Sequence, residues 1–224
     1  MMGTTTNDRG EDRELAEIHP LTQAIIDGDK AAAAELTRQC LADGEEAGAI
    51  IETRLVPGMA VIGEKFQCDE IFVPEMLIAA NAMKASLAIL EPLIAESGGR
   101  APHTAVIGTV QGDLHDIGKN LVAMMWRGAN IAVVDLGVNV SPEAFAAAAR
   151  EHRPDIVGMS ALLTTTMPHM REAVAAVRAT GVPTKIVIGG APVSQEFAAE
   201  VHADGFAADA GAAADVARAL ISAA

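Results

Sequence analysis

A chain of 224 residues with a formal charge of −14, half of it hydrophobic, can bury one large core or two modest ones. So acidic a surface repels phosphate backbones, and no basic amphipathic stretch is present, which excludes direct binding to nucleic acid and docking on an anionic membrane. No transmembrane run or signal core is read in the sequence, and Cys40 and Cys68 stand far apart without metal-type spacing, so a reducing cytoplasm is expected.

Residues 1–18 are polar and acidic and are expected to form a flexible tail. "IIDGDKAAAAELTRQCLADGEE" predicts a helix with Gly28 and Gly44 as end signals. Ile51, Leu55, Met59, Ile62 and Phe66 form a second apolar stripe, which Pro57 and Gly58 should kink or divide. Met76, Leu77, Ala80, Met83, Leu87, Leu90 and Ile94 form a third, with Pro74 in its first turn. Residues 19–96 thus read as a bundle of four or five helices, and 97–103 as a Gly/Pro linker.

The pattern then alternates. The short apolar runs "TAVIGTV", "IAVVDLG", "DIVGMSA", "TKIVIGG" and "GFAADA" are separated by helical stretches at 117–128, 142–152, 168–179 and 195–202, and a last helix covers about 211–222. Five strands alternating with helices predict a parallel, flavodoxin-like (Rossmann-type) α/β sheet over 104–224, in the order 2-1-3-4-5. Such sheets bind ligands beyond the carboxyl ends of their strands, at the switch point between strands 1 and 3. Strand 1 feeds "DLHDIG", strand 3 feeds "SALLTTT" and strand 4 feeds "GGAP".

Several ligands of this architecture do not suit these loops. A phosphorylated receiver needs an Asp where strand 3 ends in Ser160, and a dinucleotide fold needs a Gly-x-Gly-x-x-Gly turn where this chain has "QGDLHDIG". His115 is the distinctive residue. One ring nitrogen could bind a metal while Asp113 accepts a hydrogen bond from the other. Without a second protein ligand at recognisable spacing, a lone His suits a metal whose remaining ligands come from a macrocycle. Taken singly, these residues also have plainer roles: His115 as a solvated side chain, Ser160 and Thr164 as caps, Gly189 as a turn glycine, Met59 and Met76 as bundle core.

"DLHDIG" (113–118), "SAL" (160–162) and "GG" (189–190), with 41 and 26 residues between them, resemble the Asp-x-His-x-x-Gly, Ser-x-Leu, Gly-Gly signature of cobalamin-binding domains. "LVPGMAVIGEKFQCDEIFVPEMLIAANAMKASLAILEP" resembles the helical cap module of methionine synthase and of the corrinoid proteins of methyltransferase systems, the likeness covering about residues 20–220. It implies cobalamin bound base-off, with His115 as the lower axial ligand of cobalt, Asp113 holding its other nitrogen, and the Thr166 hydroxyl completing the relay where methionine synthase has Ser. Gly112, Asp113, Leu114, His115 and Asp116 would line the lower face, with Asp116 also capping the next helix, and Gly118 and Leu162 belong to the motif blocks. Ser160 and Thr164 would contact the nucleotide tail or its pocket, Gly189 and Gly190 would leave room for it, and Ala210 would lie beside it. From the cap, Phe66 would cover the upper face, with Val73 in place of a Leu and Glu52 approaching the cofactor.

The resemblance further implies a methyl carrier of one-carbon metabolism, the corrinoid subunit of a methyltransferase system and not a complete enzyme. Cob(I)alamin would take a methyl group from a donor on a partner methyltransferase. Methylcob(III)alamin would pass it to an acceptor on a second one, by a tetrahydrofolate or thiol route, with a reductive activase as a further partner. The cap would swing aside on the linker. The alternative is a cobalamin-dependent sensor module without its own DNA-binding domain. A mutase is disfavoured by the cap, and complete methionine synthase by the room its substrate barrels need.

Overall fold

The computed structural model describes residues 18–96 and 101–223; the expected tail up to residue 17, and residues 97–100 of the expected linker, lie outside them. The first helix, α1 (Pro20–Ile26), starts on a proline, whose fixed φ and missing N–H suit a helix start. Asp29 caps α2 (Lys30–Ala42) by accepting from the Ala31 and Ala32 amides. Next, α3 (Ala47–Ile50) runs through a π-helical turn, Ile51–Leu55, into α4 (Val56–Gln67), and α5 (Val73–Glu96) follows.

The kink or division expected at Pro57 and Gly58 takes the form of this π-helical turn, which separates the short α3 from α4. The helix continues, widened just ahead of the proline, where the Val56 N–H reaches back to the Ile51 carbonyl. A proline crowds the carbonyl four residues back, and a wider turn makes room for the ring. Gly58 is required for packing instead, since a Cβ there would stand 2.9 Å from Ile25 of α1.

By length and composition α5 could cross a membrane, with mean hydropathy 1.5 over Val73–Ile94, which corrects the reading of no such run. Within this fold it packs along α2, with Met76, Ala79, Ala82, Met83 and Leu90 buried, and the buried Thr37 hydroxyl donates to Ser86 at 2.9 Å.

The remaining elements are β1 (His103–Thr109), α6 (Ile117–Gly128), β2 (Ile131–Asp135), α7 (Pro142–His152), β3 (Ile156–Ser160), a 3-10 turn (Thr164–Thr166), α8 (Met167–Arg178), β4 (Lys185–Gly189), α9 (Gln195–Glu200), β5 (Gly205–Ala207) and α10 (Ala210–Ser222). His103, assigned to the linker from sequence, is the first residue of β1. All strand pairs are parallel, in the order β2-β1-β3-β4-β5. The register sets Thr109 beside Ser160, Ser160 beside Gly189 and Gly189 beside Ala207, so four strand ends form one row.

Two cores flank the sheet. One, between the sheet and α7, α8 and α9, is filled by residues such as Phe145, Met170 and Val177. The other is shared between the helical domain and the α6–α10 face. At its centre Trp126 is fully buried, and its Nε1–H donates to the Ala213 carbonyl at 2.9 Å. The cap sits close because small residues face one another: a Cβ on Gly211 of α10 would stand 2.7 Å from the Gly63 carbonyl of α4.

Candidate functional site

The row of strand ends carries the β1–α6 loop, which is fastened on three sides. The Val110 N–H donates to the Ser160 carbonyl, the Gly112 N–H to Asn139 Oδ1 at 2.8 Å, and the Thr109 hydroxyl to the His115 carbonyl at 2.9 Å. Gly112 has a φ of 82°, which glycine adopts without strain. Held this way, His115 is half exposed, and its Nδ1 lies 2.7 Å from Asp113 Oδ1.

Asp113 is wholly buried. Its carboxylate accepts from the His115 N–H (3.0 Å), the Leu162 N–H (2.7 Å), the Leu163 N–H (3.3 Å) and the Thr166 hydroxyl (3.0 Å). Burial pushes the carboxyl upward, but the amides of Leu162 and His115, the His115 ring and the Thr166 hydroxyl outweigh it and hold Asp113 well below the usual carboxylate range. An ionised carboxylate only accepts, so in the neutral imidazole the ring proton belongs on His115 Nδ1, and Nε2 is the nitrogen that can offer a lone pair. Among the described residues Nε2 has no hydrogen-bond partner. The Thr166 hydroxyl also lies 2.8 Å from the Leu163 carbonyl, so its single proton serves one acceptor at a time.

Four exposed aliphatic residues, from 41% to 73% exposed, belong to the same segments: Leu114 and Ile117 flank His115 in the chain, and Leu162 and Leu163 donate their amides to Asp113. Such a rim is unusual beside a polar loop and suits a flat apolar ligand face. Three residues beyond His115 a cavity of about 230 Å³ opens between the sheet edge, α6 and α10. Phe66 lines its cap side, and Gly118, Ser160, Gly189, Gly190 and Ala210 line the rest. A Cβ on Gly118 would meet nothing within 4 Å, so the protein's own packing does not require glycine there, and the open space fits a bound group.

Other expected residues fall differently. Gly189 and Gly190 line the cavity, but their lack of a side chain is imposed by neighbouring backbone: a Cβ would stand 2.7 Å from the Ala207 carbonyl and 1.9 Å from the Ala161 carbonyl respectively. Thr164 is exposed on the 3-10 turn. Asp116 occupies the N-cap position of α6 without bonding a backbone amide; it accepts from the Asn120 side chain at 3.1 Å instead. Val73 begins α5, packed against the cap core and away from the cavity lining. Glu52 is not brought to the loop. It accepts from Asn130 Nδ2 at 2.5 Å and lines a cleft with Pro102, His103 and Ile131, at the amino ends of the strands.

Sequence reasoning missed Lys119. It is buried on the cavity wall and donates to Asp135 Oδ2 (2.5 Å) and Asn120 Oδ1 (2.7 Å). Asp135 is shifted upward by burial, but the Lys119 hydrogen bond, the Gly137 amide and the Lys119 charge bring it below its ordinary value. The signal was a lysine in helical register with the buried Ala123 and Trp126, which demands a carboxylate partner. Ile117, Leu163 and Asn139 were missed as well.

A doubly wound sheet that offers one oriented imidazole, an apolar rim and a cavity at its switch point defines a cofactor-binding α/β protein. Comparison with known proteins supplies the cofactor. Residues 103–221 match the B12 binding domain, and residues 17–91 match a second B12 binding domain model. A corrinoid protein of Desulfitobacterium hafniense is 40% identical, over 92% of this chain and 98% of its own length. Trimethylamine corrinoid protein 1 of Methanosarcina mazei is 38% identical, over 81% and 86%. The crystal structure of the methanol:cobalamin methyltransferase complex MtaBC from Methanosarcina barkeri aligns with a TM-score of 0.80 at 28% identity, covering 92% of this chain and 80% of that one. The chain belongs to the corrinoid proteins, and cobalamin is its cofactor.

Proposed function

We propose that this chain is a cytoplasmic methyl carrier that holds cobalamin base-off, with His115 Nε2 as the lower axial ligand of cobalt. The observation that carries the reading is the Asp113–His115 pair, in which a buried, ionised carboxylate holds the ring by Nδ1 and leaves Nε2 as the nitrogen to offer a metal. Bound cobalamin supplies a cobalt centre that takes up and releases a methyl group. The chain's own part is orientation and tuning. Leu114, Ile117, Leu162 and Leu163 seat the corrin face, the cavity from Gly118 to Ala210 receives the displaced nucleotide tail, and Phe66 closes the cap side. Thr166 and the two leucine amides keep Asp113 ionised. Asp113 would hold the His115 ring through its Nδ1–H, so that Nε2 is the atom that would hold the metal.

The partners on this reading are a donor-specific methyltransferase, an acceptor methyltransferase of the tetrahydrofolate or thiol route, and a reductive activase. A relative's presence in a methanol:cobalamin methyltransferase complex supports the first. The charge of −14 suits basic docking faces. The test is His115→Ala loaded with methylcobalamin. Part of the cofactor is retained through the tail cavity, while the absorption spectrum changes to that of a cofactor without an axial imidazole. A spectrum identical to wild type overturns the axial-ligand assignment.

A further inference from the structure

In the helical domain, away from the cobalamin loop, one ligand atom each of His19, Cys40 and Glu45 lies within 4.8 Å of the other two, with Cys40 buried and the others half-buried. They come from separate pieces of the domain: His19 precedes α1, Cys40 lies in the last turn of α2, and Glu45 follows it in the connection to α3. The backbone explains the convergence. Gly44, with a φ of 88°, turns the chain back, and the Glu45 N–H donates to the Cys40 carbonyl at 3.0 Å. That brings the Glu45 carboxylate beside the Cys40 thiol, and burial together with this carboxylate pushes the thiol up to about 11. Arg54, from the π turn, pairs with Glu45 at 3.2 Å, and its Nε is buried without a hydrogen-bond partner. A shallow surface cleft lined by Ile18, His19, Pro20, Gln23 and Arg54 opens beside the cluster.

We propose that this cluster is a second metal site, which binds one zinc-class divalent cation through the His19 imidazole, the Cys40 thiolate and the Glu45 carboxylate. The donor set selects the ion. A thiolate excludes magnesium and calcium, while sulfur, nitrogen and oxygen together suit zinc. The cleft beside His19 leaves a fourth position for water. The ion takes the place of the Cys40 thiol proton, so one proton leaves for each ion bound. Two anionic ligands neutralise the ion's charge, and Arg54 stays on the Glu45 carboxylate and orients it. The His19 Nδ1 now accepts the Leu21 N–H at 3.2 Å, which puts the ring proton on Nε2. Coordination removes that acceptor, either directly at Nδ1 or by moving the ring proton onto it. The Leu21 amide therefore reports binding. The ion fastens the start of α1 to the α2–α3 turn.

The full-length chain, loaded with cobalamin, is dialysed against zinc, and zinc and cobalt are counted per chain by mass spectrometry. The expected result is one zinc per chain, bound at least about tenfold more weakly by Cys40→Ser and by Glu45→Gln and unchanged in Cys68→Ser. X-ray absorption at the zinc edge of the wild type should show one sulfur at about 2.3 Å beside nitrogen and oxygen at about 2.0 Å. The Leu21 amide resonance should move on zinc addition. No retained zinc, zinc held equally by Cys40→Ser, or a zinc shell without sulfur overturns the site. The wild-type absorption result stands even if a variant folds poorly.

Discussion

Asp113 lies wholly out of water and yet stays ionised, because His115, Leu162, Leu163 and Thr166 all donate to it. Its folded pKa lies below the ordinary value of 3.8, so the unfolded chain takes up the proton first as pH falls. The stability it contributes is therefore fully present above about pH 4 and is lost as pH falls through the folded value. Asp113→Asn should destabilise the apo-protein by about 1–3 kcal/mol near neutrality, since an amide cannot accept from every donor that now converges there. In urea unfolding followed from about pH 7 to about pH 3, the gap between wild type and variant should narrow at the acid end. A gap constant across that range contradicts the assignment. The pair Asp113 and His115 was legible in the sequence because it sits within one contiguous motif. Lys119 with Asp135 was not, because the partner arrives through the register of β2 beside β1, which no local pattern encodes. The same holds for His19, Cys40 and Glu45, which only the fold of the helical domain brings together.

The helices and strands were largely legible, because apolar spacing of three and four gave way to short apolar runs. The π turn at Ile51–Leu55 was not, and it bears directly on Glu52. One extra residue in a turn rotates the preceding helix face by about 100°, so the direction of Glu52 could not follow from the periodicity of the stripe downstream. The glycines at the element ends also divide by cause. Gly190 has a φ of 122° and no room for a side chain against the Ala161 carbonyl, whereas Gly118 has open space. Gly118→Val should leave the unfolding free energy of the apo-protein within the range of an ordinary surface change, about 0.5–1 kcal/mol, while weakening cobalamin retention by at least about tenfold. Cofactor retained on gel filtration as in wild type would show that the space beside Gly118 belongs to no ligand.

One hydrophobic core runs from the helical domain into the α6–α10 face, so the cap is a packed part of the protein and not a loosely tethered flap. Its closest approach relies on Gly63, Gly211 and Gly128, the last with Met59 where a Cβ would come to 2.9 Å. Gly211→Ala adds a methyl group 2.7 Å from the Gly63 carbonyl and should lift α4 from α10. Hydrogen exchange in α4 should then speed up while α7 and α8, on the other face of the sheet, keep their protection. Uniform exchange across both faces contradicts a cap that parts from the sheet as a unit. Such a parting is what access by a partner methyltransferase requires.

The central claim is that His115 binds cobalt. It is tested most directly by electron paramagnetic resonance of the protein loaded with cob(II)alamin, with its histidines labelled with nitrogen-15. The unpaired electron couples to the axial nitrogen, so a histidine ligand changes the superhyperfine pattern from triplets to doublets on labelling, and His115→Ala abolishes the coupling. Triplets that persist in the labelled wild type would mean that the cofactor's own base remains on the metal, contradicting the account.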